Sequence, residues 1–571
     1  MEAKQTTTNK TARQILVYLG SAWLLVEVSN FIIDRYNFDP VLIDIIILFV
    51  LFGLPATVIH SLFIGRFNVK AVALQALNVI GALAVVFYFL THPLSMNPGQ
   101  LRVLKLDGGK VSELSSLKAV AVLPFSNYLG DESQAYLLAG MHDGLIAEMG
   151  KLTNFRTISK TSTLRYENTG KSLMEIADDL GVDAIVETSL TKIDSLVEIR
   201  IKLISAYPEE IILWDHAYSV YENELPNLYR EVTRNVAGKI GDALVAESEL
   251  QLAPQRVPNP GAYQAFLRGS YYTGFLTLEG FDLAEQQFKR AIELDSLFAP
   301  AYSGLHLILA SQRQMGYIAG EKSVRLLDSL AYGAYRLDST DASILLMMAS
   351  HHTWTEFDWE NAEVKFKESI NRNPNDAPAR SAYAHYLMIQ NRWEEAWVQM
   401  NVALELDPEN PWVLAFSMPM YGNDGKILSA AKSAERLLQI APNHPMADMI
   451  LLHKYVALKN DEVAVTQLIE VLNNYGVGGA KSAVLEGFKD GEFESAMRAL
   501  MPFLENYAMT NSISSFQMFV FYGLINDHEM QDKWILKMYE ESHPGLPYLG
   551  IKKIGYESDV RTTVMKEIGL W

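Results

Sequence analysis

The sequence predicts a multidomain fold class: transmembrane α-helices first, then an α/β sandwich with a mixed sheet in the order βαβαβββα, then an all-α solenoid of helical repeats. Three observations predict it. Three long apolar runs fill the first hundred residues, short alternating segments follow over 118–248, and a 34-residue spacing of small and bulky side chains governs 262–510. The chain has 571 residues, 49% of them apolar and 20% charged, enough for several packed cores.

The first element is a membrane domain over 1–95, followed by a linker at 96–117. Its apolar runs, at about 15–33, 41–64 and 71–90, each reach the length that carries a helix through roughly 30 Å of hydrocarbon. A cleaved leader would show one short apolar stretch, whereas here two further runs follow the first. Lys4, Lys10 and Arg13 precede the first run, and Arg66 and Lys70 separate the second from the third. The bias of Lys and Arg toward the cytoplasm then predicts a multi-pass protein of a bacterial inner membrane, with a cytoplasmic amino terminus and a large periplasmic carboxy-terminal region. Glu27 and Asp44 fall inside the first two runs as intramembrane polar residues. Such groups are functional or paired, and pairing within the helix bundle is the simpler reading.

Charge narrows the partners. Formal net charge is −19, and the first hundred residues hold six basic and five acidic side chains, so the remainder carries −20. Phosphate recognition needs a basic face, so nucleic acid is not an expected partner. The absence of Cys removes disulfides, Cys-ligated zinc and thiol chemistry.

Residues 118–248 read as one small α/β unit. Lys118–Phe125 is a buried strand, Ser133–Leu152 a helix, Phe155–Leu164 a strand and Ser172–Leu180 a helix closed by Gly181. Asp183–Lys192, Val197–Ala206 and Ile211–Val220 alternate as three consecutive strands, and Leu225–Leu244 is an amphipathic helix. The stretches AVAVLPFSNYLGDESQAYLLAGMHDGLIAEM, MEIADDLGVDAIVETSL and ILWDHAYS resemble, in order, the amino-terminal domain of TolB-like and FlgO-like proteins. ARQILVYLGSAWLLVEVSNFIID resembles the membrane hairpin found ahead of such domains. The resemblance implies a non-catalytic periplasmic or signalling module without transferable active-site residues. Relatives of this architecture often begin with a nucleotide cyclase or a winged-helix domain, for which the roughly 14 residues before the first run leave no room.

A proline-rich linker at 249–261 leads to the repeats. In each unit the second helix needs a small residue at the crossing, a bulky one a turn later, a further compact position and then a stop. Ala362, Phe366, Ser369 and Pro374 meet this need; so do Ala396, Met400, Ala403 and Pro408, and again Ala430, Ala434, Leu437 and Pro442. The three sets repeat every 34 residues and match the tetratricopeptide family. Looser units begin at Ala284, Leu327, Ala464 and Ala496, the last through Leu500, Phe503 and Ala508, giving about seven units over 262–510. Residues 511–571 are expected to form a helical carboxy-terminal cap. Stacked units bury a continuous core and leave a concave binding face.

Most chemical motifs fail. Gly170-Lys171-Ser172 ends like a phosphate loop, but Arg165 stands where its first Gly is required. No HExxH, GxSxG or EF-hand pattern occurs, and His351-His352 has no carboxylate or Cys at ligand spacing nearby, so a surface pair is expected there. Hence no catalytic residues, metal or cofactor are expected. One pattern remains: His351, His385 and His453 fall on the same position of their repeats, with Pro419 on the intervening rung. Met347, Trp354, Met388, Trp412 and Met449 surround them in the first helices. Coincidence on ordinary helix surface is the bland reading. The sharper one is a protein-binding groove whose solvated His385 titrates near pH 6.5. The expected function is thus a membrane-anchored, extracytoplasmic, non-enzymatic scaffold whose partners are proteins or peptides and the lipid bilayer. The alternative is a transmembrane sensor related to cyclase-bearing or DNA-binding regulators but without an output domain.

Overall fold

The computed structural model describes residues 117–571 apart from 128–134, 153–155, 168, 194–195, 208, 241–255, 319–320, 443, 510–512 and 555. The runs expected to span a membrane, with Glu27 and Asp44, lie outside the described residues. Among the described residues no helix is long and apolar enough to cross a membrane. Leu278–Leu294, at 17 residues one of the long ones, carries Glu279, Asp282, Glu285, Lys289 and Arg290 on its outer side. A span needs about 20 predominantly apolar residues. The transmembrane part of the expected fold class and the inner-membrane, periplasmic localisation are corrected accordingly: the described chain is a mostly helical body with a small sheet at residues 119–221.

The sheet forms first along the chain. Its strands are β1 Ala119–Val122, β2 Ser126–Asn127, β3 Arg156–Ile158, β4 Ala184–Ile193, β5 Leu196–Ser205 and β6 Ile211–Tyr221. Their order is β3-β1-β4-β5-β6, with β2 beside β4. β1 pairs in parallel with β3 and β4, while β4, β5 and β6 form an antiparallel meander. Helix α1 (Ala135–Met149) lies between β2 and β3, the short α2 (Lys160–Leu164) and α3 (Leu173–Leu180) between β3 and β4, and α4 (Leu225–Ile240) after β6. The strand expected over 155–164 is therefore cut to three residues. Ser159 ends it: its hydroxyl caps α2 at the Ser162 amide, and Thr163 bonds back to the Ser159 carbonyl. Clustered Ser and Thr offer the backbone such local alternatives to a ladder. Alternating side chains fill both faces. Val120, Val122, Ala184 and Val186 pack with α1 and α4, and Ala119, Ala121 and Ile185 with α3.

The solenoid follows as α5 Pro260–Thr273, α6 Leu278–Leu294, α7 Ala299–Gln314, α8 Glu321–Leu337, α9 Ala342–His351, α10 Trp359–Arg372, α11 Ala377–Ile389, α12 Trp393–Leu406, α13 Pro411–Asn423, α14 Ile427–Ile440, α15 Pro445–Ala457 and α16 Asp461–Asn474. Helices α10, α12, α14 and α16 begin at 359, 393, 427 and 461, a constant interval of 34 residues. Asp358, Asp376, Asn410 and Asn460 cap helix starts by accepting backbone N–H bonds. The small and bulky positions of the motif are buried: Ala362, Phe366 and Ser369, then Ala396, Met400 and Ala403, then Ala430, Ala434 and Leu437. Phe503 departs from this, being 46% exposed in α18 (Phe493–Met509) after α17 (Lys481–Gly487). The chain ends with α19 Ser515–Leu524, α20 His528–Glu540, 3-10 turns at Leu546–Gly550 and Lys552–Ile554, and α21 Asp559–Glu567.

Two attachments use opposite edges of the solenoid. At the turns from second to first helices, Asn375 donates to the carbonyls of Gly150 (2.9 Å) and Leu152 (3.3 Å), tying the α/β unit to the repeats. One apolar cluster also joins Leu137, Met141 and Tyr229 to Tyr263, Leu267 and Phe298 of the first repeat helices. At the turns from first to second helices, the carboxy-terminal segment folds back onto the same repeats.

Candidate functional site

Side chains expected to form the groove are distributed among several cores. Met347 packs with Ala331 and Ala334, Trp412 against the cluster of Leu414 and Met418, and Met449 with Leu452 and Leu468. His453 is half-buried; its Nδ1 faces the Met449 carbonyl at 2.8 Å, and burial holds its pKa below the ordinary imidazole value. Trp354, His385 and Met388 come together in the cluster around Phe366 and Phe416.

His385 is 2% exposed. Its Nε2–H donates to the Phe416 carbonyl, which leaves Nδ1 to accept from the Tyr548 hydroxyl at 3.0 Å. Burial lowers its pKa to about 4. A titration near pH 6.5 therefore does not apply to His385 in the folded chain: the ring is desolvated and neutral, with both nitrogens satisfied.

Tyr548 belongs to the carboxy-terminal segment, which covers this face. Tyr548, Ile551 and Ile554 join the apolar cluster of Met388, Trp354 and Phe416. Asn391, at φ +60°, turns its side chain so that Nδ2 donates to the Gly550 carbonyl (2.9 Å) and Oδ1 accepts from the Lys552 amide (2.8 Å). Trp359 Nε1 donates to the Ile568 carbonyl at 2.6 Å. Lys553 sits 3.9 Å over the Trp393 ring and pairs with Asp424. Within the segment the buried Arg561 donates to the carbonyls of Leu549 (2.7 Å) and Ile551 (2.8 Å), holding the 3-10 turn against α21.

His351 occupies a different, polar setting. It ends α9 and is fully buried. The next five residues, His352–Glu356, form a π turn that Phe357 closes at φ +58°. That extra-wide turn carries Glu356 back toward His351. His351 Nε2 lies 3.2 Å from Asp328 Oδ1 of α8 and 3.4 Å from Glu356 Oε1. Its Nδ1 lies 3.2 Å from Nε2 of the buried His306 in α7, whose pKa burial and the neighbouring His351 lower to about 3. Tyr332 O–H donates to Glu356 Oε1 at 2.8 Å, and His352 Nδ1 lies 2.6 Å from Glu356 Oε2. The sequence shows Glu356 four residues after His352, but Asp328, His306 and Tyr332 approach only through helix stacking.

No family model matches the chain. The putative adenylate cyclase 3 of Rhizobium meliloti (strain 1021) is 25% identical over 197 residues, covering 34% of this chain and 33% of that protein. The sperm-associated antigen 1 of Mus musculus is 28% identical over 148 residues, covering 24% of this chain and 16% of that protein. The chain thus spans about a third and about a sixth of the curated relatives it matches. Among solved structures, the human IFIT1 dimer with m7Gppp-AAAA aligns over 58% of this chain and 78% of its own at 11% identity and a TM-score of 0.37. YrrB, a tetratricopeptide protein with an unusual peptide-binding site, aligns over 36% of this chain and 97% of its own, at 19% identity and a TM-score of 0.22. PilF of Pseudomonas aeruginosa covers 47% of this chain and 97% of its own, at 14% identity and a TM-score of 0.25.

Proposed function

We propose that the chain is a protein-binding scaffold of helical repeats, and that the face around Trp354, His385 and Met388 is its binding surface, held in this structure by the chain's own residues 546–571. One observation carries the reading: Tyr548 and Gly550 meet His385 and Asn391 through directed hydrogen bonds, as a docked peptide would. Helical-repeat grooves take extended or short helical segments through a few polar anchors and apolar pockets. Here the anchors are His385 Nδ1 and Asn391, and Tyr548 and Ile551 fill the apolar side. A tethered segment competes at high effective concentration, so an outside partner must displace it.

The test compares the full chain with a chain ending at residue 543. A labelled peptide of residues 544–571 should bind the shortened chain at one equivalent and the full chain at least about tenfold more weakly, because tethering raises the local concentration of the competitor. Should shortening reduce helicity, the full-length double variant Asn391→Ala with Tyr548→Phe serves instead, and hydrogen exchange across 546–571 should accelerate. A helical shortened chain that ignores the peptide, or unchanged exchange in the double variant, would refute the reading.

A further inference from the structure

We propose that Asp328, His351 and Glu356 form a site for a divalent transition-metal ion of the zinc class. This inference is independent of the proposed binding surface. The three ligand atoms, Asp328 Oδ1, His351 Nε2 and Glu356 Oε1, lie within 4.8 Å of one another. A tetrahedral ion with bonds of about 2.0–2.1 Å to nitrogen and oxygen sets its ligands about 3.3 Å apart. The two separations from His351 Nε2 are 3.2 and 3.4 Å.

A hydrogen bond accounts poorly for the same contacts. A ring N–H points at one acceptor, and here two carboxylate oxygens flank it almost equally. His351 Nε2 makes no hydrogen bond of acceptable geometry although it is sealed from solvent, and Asp328 Oδ1 is buried in the same condition. Orphaned buried polar atoms are costly, and two facing each other call for a bridging cation. The other ring nitrogen supports this. With the proton on His351 Nδ1, donated to His306 Nε2 at 3.2 Å, Nε2 presents a bare lone pair toward two anions. A cation turns that repulsion into coordination, and the His306 contact becomes the outer bond that fixes the ring of a metal-bound imidazole. Tyr332 and His352 brace Glu356 in the same manner.

The donor set chooses the metal. One imidazole with two carboxylates suits zinc, cobalt, nickel or manganese, whereas magnesium and calcium favour oxygen alone. Entry is open from one side, since the Asp328 side chain is 40% and that of Glu356 27% exposed. A second trio, His352, Glu356 and Asp358, shares Glu356, but His352 Nδ1 is already engaged with that carboxylate. Three protein ligands leave the fourth position of a tetrahedral ion for water or a donor from a partner.

The test uses the full chain stripped by a chelator and titrated with zinc chloride, with magnesium chloride as control. Wild type should retain about one zinc equivalent through desalting and ignore magnesium. Asp328→Asn removes a partly exposed ligand with little risk to folding, and should weaken zinc at least about 100-fold, the upper range for loss of a mere supporting contact. His351→Gln should do the same if it stays helical. Tetrahedral visible bands of the cobalt-loaded wild type should disappear in Asp328→Asn. Wild type without bound zinc, or Asp328→Asn with wild-type affinity, would overturn the proposal.

Discussion

Gly304 and Gly333 sit in neighbouring helices α7 and α8, and replacing each by Ala should move stability in opposite directions. In a helix interior the exchange normally gains about 0.5–1 kcal/mol, because Gly loses more backbone entropy on folding. At Gly333 nothing opposes that gain: a new Cβ would find its nearest neighbour, Tyr302, 3.8 Å away. At Gly304 the Cβ would meet Phe288 Cε1 at 2.5 Å, and the Cβ position of Gly269 lies 2.7 Å from the same atom, so two helices already crowd the ring. Phe288 is buried and fills the space that the two glycines leave between α5, α6 and α7. Overpacking of this kind costs about 1–3 kcal/mol, more than the propensity gain. The two variants should therefore differ by about 2 kcal/mol, with Gly333→Ala above wild type and Gly304→Ala below it. Calorimetry of the full chain reads this as a split of several degrees, taking about 2–4 °C per kcal/mol for a cooperative unit of 150–250 residues. A Gly304→Ala variant as stable as Gly333→Ala would show that Phe288 is not locked between two backbones, and would undo the packing of the first repeat.

Two pH effects of opposite sign follow from buried groups. His142, His385 and His444 have folded pKa values lowered to about 4, so the unfolded chain binds more protons between that value and about 6.5. Their stabilisation is complete above pH 6.5 and is lost as pH falls toward 4, by up to about 3 kcal/mol each; a melting temperature flat from pH 7 to 4.5 would contradict their burial. Asp407 runs the other way, because burial raises its pKa to about 6 and its charged form is the costly one. Asp407→Asn should raise the melting temperature at pH 8 and leave it nearly unchanged at pH 4, the Asn410 contact at 2.8 Å being retained by the amide oxygen; an equal shift at both values would discount the buried charge.

What a single sequence reveals depends on whether the responsible contacts lie within one period. Ala396 and Met400 are a turn apart in one helix, and their burial follows from a spacing visible in the string of residues. The same holds for the antiparallel strands, where alternation alone marks Val197, Ile199, Ile201 and Leu203 as inward-facing, as they are. Ser159 shows where a local rule is overridden, since its cap ends a strand that hydropathy would continue. The histidine rungs show the deeper difficulty. His351 and His385 share a repeat position, yet one faces Asp328 and Glu356 and the other faces Tyr548. Repeat position fixes the direction of a side chain but not what arrives opposite it. For His385 the arrival is a segment 163 residues further along the chain, and for His351 it is a carboxylate from the preceding helix plus one returned by a π turn. A π turn adds a single residue to a helical circuit and leaves hydropathy unchanged, so spacing alone places no carboxylate beside His351. Both encounters bury an imidazole, but only the second leaves its outward nitrogen without a proper partner. That asymmetry between two equivalent rungs separates a histidine satisfied by Tyr548 of the same chain from one whose outward nitrogen is left for a cation.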